Sequence, residues 1–189
     1  MVALQDTRIL CGWFLGHPAT GPDPGRDLPP HAPLTAVLRE LTAAGRYHAP
    51  GLFTDLDAVR SAARHAPGAF APQALWVPGE RAREVQREVD GSALGALLAR
   101  ATPGPAHGDA AHLVAAGHDV LGFGSDLLLT FAREPEGQRL CRRLGLPPDP
   151  PPFLPDADTA DALCAALDDE DLGAPVLWVR CWRTVHAAL

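Results

Sequence analysis

A chain of 189 residues with 47% hydrophobic and 21% charged side chains has the means to bury a real core, which excludes global disorder. Its formal charge of −7 and pI of about 5.5 set it against phosphate backbones, so nucleic acid is not an expected partner. No apolar run approaches the roughly 18–20 residues of a membrane helix, and Met1–Asp6 lacks the basic start and apolar stretch of a secretory signal, so a cytoplasmic location is expected.

The chain opens on Arg8–Gly16, short, apolar and bounded by turn formers, which predicts a buried strand. Six prolines between residues 17 and 33 exclude a helix there and predict a long loop. Leu34, Val37, Leu38 and Leu41 recur at helical spacing, and Gly45 stops that helix. Thr54 and Asp57 resemble a capping box opening an alanine-rich helix through Ala66. Gln73–Pro78 reads as a strand closed by proline, and Glu80–Arg100 as one helix weakened by Gly91 and Gly95.

In the second half, Asp109–Ala116 predicts a short helix ended by Gly117. Asp119–Phe123 and Leu127–Phe131 flank Gly124-Ser125-Asp126, which predicts a hairpin with a three-residue turn. Residues 135–144 and Thr159–Leu167 read as helices, with a proline-rich connector at 146–155 between them. The last strand is Pro175–Arg183.

An internal echo runs through this order. Asp55-x-Asp57, an alanine-rich helix and Leu75-Trp76-Val77 recur as Asp156-x-Asp158, an alanine-rich helix and Leu177-Trp178-Val179, offset by 101 positions at the aspartates and 102 at the tryptophans. The expected fold is therefore α+β (or α/β), made of two related halves, 1–100 and 101–189. Each is strand-helix-helix-strand, and the two pack around a shared core because such small sheets are marginal alone.

Signatures of catalysis are missing. All 16 basic residues are arginine, so no lysine is present to form a Schiff base or anchor phosphates. Cys11, Cys141, Cys164 and Cys181 form no C-x-x-C pair and read as buried reduced thiols. His107 and His112 are five apart, not the spacing that aims two imidazoles at one metal, and Asp156–Asp161 lacks the glycine and glutamate of a calcium loop, so no metal is expected. Helix capping explains Asp55, Asp57, Asp156 and Asp158 better. Gly122-Phe123-Gly124 does not continue into a dinucleotide loop, so no cofactor is expected.

What remains points to binding. Alternation on the last strand places Trp178, Arg180 and Trp182 on one face, and Trp and Arg are the residues most enriched at interface hot spots. Residues 156–171 carry seven carboxylates and no base, a surface that suits a basic partner. The leading expectation is a non-catalytic cytoplasmic protein that binds another protein, of adaptor, regulatory or neutralising type. The alternative is a small-molecule binder or enzyme with a site in the cleft between the halves, using His118, Asp119, Ser125 and Asp126.

Overall fold

The computed structural model describes residues 8–16, 31–48, 51–68, 70–100, 113–124, 127–130, 135–143, 145, 154, 156–169 and 177–186. In chain order the elements are β1 (Arg8–Gly16), α1 (Ala32–Ala43), β2 (Tyr47–His48), β3 (Leu52–Phe53), α2 (Leu56–Ala63), β4 (Ala71–Pro78), α3 (Ala82–Glu88) and α4 (Ala93–Leu98). They continue as β5 (Leu113–Gly124), β6 (Leu127–Thr130), α5 (Pro135–Arg143), α6 (Ala157–Asp168) and β7 (Leu177–His186).

The strands form one seven-stranded sheet in the order β2-β3-β1-β4-β7-β5-β6. Every pairing is antiparallel, so the fold is α+β and not the parallel α/β alternative. The centre of the sheet is the β4–β7 ladder, where Leu75 faces Arg183 and Trp76 faces Trp182. Strands from before and after residue 100 thus share one sheet. None of the helices among the described residues is long and apolar enough to cross a membrane.

Helices cover both faces. On one side α3 and α4 bring Val85, Val89, Leu94 and Leu98 onto Leu75, Val77, Leu121, Phe123 and Val179. On the other, α1 and α2 pack Leu34, Val59 and Ala62 against Trp13, Phe53, Ala74 and Trp76. Beside them α5 and α6 pack Leu140, Leu163 and Leu167 against Val120 and Trp178. Alternation along each strand divides its side chains between these layers.

Several local expectations need correction. Residues 113–116, expected at the end of a helix, are strand; residues 109–112 lie outside the described residues. β7 extends to His186 and offers β5 a ladder from Phe123 back to Leu113, and sheet pairing overrides local helical composition. The ladder slips one residue between Ala115 and Gly117, as β1 slips against β4 between Leu10 and Gly12. Gly12 stands at φ +156°, a backbone conformation that residues with a side chain rarely adopt, which favours glycine in the bulge.

Glu80–Arg100 is not one helix. Gly91 at φ +79° turns the chain, and Ser92 caps α4 by accepting from Gly95 N–H. β7 runs from Leu177 to His186, ending three residues later than expected; Pro175 and Val176 lie outside the described residues. β5 and β6 form the expected hairpin, but Gly124 pairs with Leu127, which shortens the connection to residues 125 and 126.

The capping box of α2 is also different. Asp55, not Thr54, is the cap: its Oδ1 accepts from Ala58 N–H at 2.9 Å, while Arg46 binds the carboxylate with Nε at 2.9 Å from Oδ2 and with its terminal nitrogen. Asp156 caps α6 in the same way, accepting from Thr159 N–H at 2.7 Å. The Arg46 hydrogen bonds, with the Ala58 and Thr54 donors, hold the Asp55 carboxyl down to about 2. Its folded pKa lies below the unfolded one, so this contribution is complete above the unfolded value and is lost as pH falls through about 4 to 2. Acid titration of urea midpoints should therefore show a smaller loss over that range in Asp55→Asn than in the wild type. Equal slopes would remove Asp55 from the acid response.

Candidate functional site

The long β5–β7 ladder assembles most of the binding residues named from the sequence. His118 lies opposite Trp182, Val120 opposite Arg180, and Gly122 opposite Trp178. Register and alternation put His118, Trp178, Arg180 and Trp182 on the face covered by α1, α2, α5 and α6.

Along β7 these side chains have different surroundings. Trp178 is 3% exposed and lies under α6, where Leu163 and Leu167 join it in the core. Trp182 is half-buried and packs beside the α1–α2 cluster. Arg180 stands between them and donates from Nε to Asp161 Oδ1 on α6 at 2.8 Å. The Arg180–Asp161 pair therefore marks a seam between the two helix groups on this face.

Trp182 is the centre of that seam. Arg8, at the start of β1, lays its guanidinium 4.3 Å from the indole centroid, and the His118 ring meets the indole nearly perpendicularly at 4.4 Å between centroids. Burial lowers the His118 pKa; Arg180 and Arg8 lower it further, against Asp161 and Asp156. The imidazole is therefore neutral at neutral pH. His118 Nδ1 and Trp182 Nε1 are both buried and have no hydrogen-bond partner among the described residues. By contrast Trp76 Nε1 donates to Thr184 Oγ1 at 3.0 Å, so the neighbouring indole is satisfied.

The remaining residues of the sequence-derived site do not join this group. Asp119 follows His118 directly, so alternation sends it to the opposite face, where it binds Arg183. Ser125 and Asp126 lie outside the described residues. Arg8 and Asp161 are members that sequence reasoning missed. Arg8 carried a usable signal as the only charge on the first strand, but its meeting with Trp182 depends on β1 and β7 flanking β4.

None of the four thiols is activated. Burial raises all four thiols: Cys11 and Cys181 lie well above the ordinary thiol range, Cys164 reaches about 12, and Cys141 also rises. Ser92 is occupied as a helix cap. No group of three or more His, Cys, Asp or Glu side chains among the described residues is placed to hold a metal ion. Compared with family models, curated proteins and solved structures, the chain has no match.

Proposed function

We propose that this chain is a non-catalytic cytoplasmic protein that binds another protein, as an adaptor, regulator or neutralising factor. The observation that carries this reading is Trp182, half-buried in the seam between an arginine and a histidine, with its indole N–H unpartnered among the described residues. The exposed part of the indole offers a partner aromatic contact area, as interface hot spots do, while its N–H is buried in the seam. α6 meets the seam at Asp161, paired with Arg180, and it and its C-cap also expose Asp158, Asp168 and Asp169, which favours a partner with a basic rim and a salt-sensitive association rate. The chain's two halves are read as a duplication. The glycine bulges of β1 and β5 and the matching caps Asp55 and Asp156 support this.

A second reading is a small-molecule site in the same seam, favoured by the two buried ring nitrogens of His118 and Trp182 that have no partner among the described residues. The partner is sought by capture from lysate of the native host and the complex rebuilt from purified proteins. Trp182→Ala should weaken it by about thirtyfold or more, the effect of a hot-spot side chain. A variant that melts like the wild type and binds its partner equally well sinks the protein-binding reading. Ligand binding without any protein partner would move the function to the second.

A further inference from the structure

His118 is the titratable side chain in contact with Trp182. Its backbone is held on both sides: it pairs with Trp182 on β7, and its carbonyl oxygen accepts from Leu154 N–H at 2.8 Å. Any response to a change of charge therefore falls to the side chain. The ring stands nearly perpendicular to the indole at 4.4 Å between centroids, with Nδ1 buried and without a partner among the described residues. His118 as a whole is only half-buried, so rotation about its side-chain bonds reaches water without unfolding the strand.

Charged groups act on this ring from three elements. β1 supplies Arg8, whose guanidinium lies 4.3 Å from the centroid of the same indole, and β7 supplies Arg180. α6 and its cap supply Asp161 and Asp156. Both carboxylates already accept other donors: Asp161 takes Arg180 Nε at 2.8 Å, and Asp156 takes Thr159 N–H at 2.7 Å. Protonation puts a further cation beside two arginines and charges a ring that is partly withdrawn from water. Burial is the largest opposing effect, and with the arginines it outweighs the two aspartates.

We infer that His118 is an acid-operated latch on Trp182: the neutral ring packs against the indole and keeps the seam closed, and the protonated ring turns out to water and releases it. The folded pKa lies below the unfolded 6.5, so the neutral ring's contribution is complete above that value and is lost as pH falls from it through the folded one. For each unit between the packed and the solvated ring, protonation shifts the balance about tenfold towards release. As regulation of a contact surface, the latch rests on the reading of Trp182 as a binding residue. As a movement it belongs to the free chain, where it is tested apart from any partner.

The test is NMR of the full chain without a partner, titrated from about pH 8 to 5. The Trp182 indole N–H signal is identified by its loss in Trp182→Phe, and the His118 ring signals by their loss in His118→Phe. His118 should titrate with a midpoint below 6.5. With the same midpoint, exchange of the Trp182 indole N–H with water should rise about tenfold relative to that of Trp76, which Thr184 holds. His118→Phe keeps a flat ring beside the indole and takes no proton, so its Trp182 signal should stay constant over the range. The inference is overturned if His118 titrates at 6.5 or above, if the Trp182 signal does not follow it, or if that signal still moves in His118→Phe. If His118→Phe does not fold, the two wild-type midpoints decide. None of these outcomes touches the protein-binding reading, which the affinity of Trp182→Ala tests separately.

Discussion

Asp119→Ala should cost about 3–5 kcal/mol of stability, among the largest losses available to a single substitution here. The reason is the guanidinium it leaves behind. Arg183 has no exposed surface, and the Asp119 carboxylate is its charge partner through Nε and Nη2. Without that carboxylate the protein must hold an uncompensated cation in an apolar layer of Cys11, Phe14, Leu75 and Cys181. The pair itself need not be net stabilising, because both charges were desolvated to form it. Hence Asp119→Leu combined with Arg183→Met should recover most of the loss. Urea midpoints for the two singles and the double variant give the coupling energy. A single-variant loss below about 1 kcal/mol, typical of exposed pairs, would show that the pair is solvated in solution.

Trp178→Ala should also lose about 3–5 kcal/mol, and it should do so without being a binding variant. Trp178 is 3% exposed and packs with Val120, Leu154, Leu163 and Leu167, so truncation opens a cavity beneath α6. At this chain length that corresponds to a Tm fall of roughly 6–20 °C. Trp182, two residues on, is half-buried and should cost less in stability while costing more in affinity. The two tryptophans share one face of the strand, so a double variant would confuse unfolding with a lost contact. Calorimetry of each single variant separates them. If Trp178→Ala melts like the wild type, α6 does not pack as described.

Much of the secondary structure was legible because periodicity and punctuation agree. Arg8–Gly16 is an apolar run between turn formers, and it is β1. Leu34, Val37, Leu38 and Leu41 are spaced for one helix face, and they are α1 ending before Gly45. The aspartates read as caps include the true caps, Asp55 and Asp156. Some failures were local, as at Gly91 and Ser92, but in β5 a partner distant in sequence decided the outcome. Residues 113–116 became strand because β7 was there to pair with them. Two-residue strands such as β2 and β3 carry no period that a sequence can display.

The candidate site was legible as residue types but not as a place. Trp178, Arg180 and Trp182 could be put on one face by counting, and the structure keeps them there. Counting could not say that α6 covers Trp178 and leaves Trp182 half-buried, since coverage depends on where a helix from another part of the chain comes to rest. Nor could it divide His118 from Asp119 before residues 113–124 were known to be a strand.

By itself, the sequence determined the local preferences: which segments are apolar, where glycine and proline break them, which carboxylates can cap a helix, and that the chain is acidic and lysine-free. Those are properties of a residue and its near neighbours. Only the tertiary structure decided the strand order, the burial of Arg183 with Asp119, and the meeting of Arg8, His118 and Trp182. Each of these joins residues tens to more than a hundred positions apart. They are brought together by antiparallel pairing and shared burial, which act across the fold and leave no mark in any short stretch of sequence.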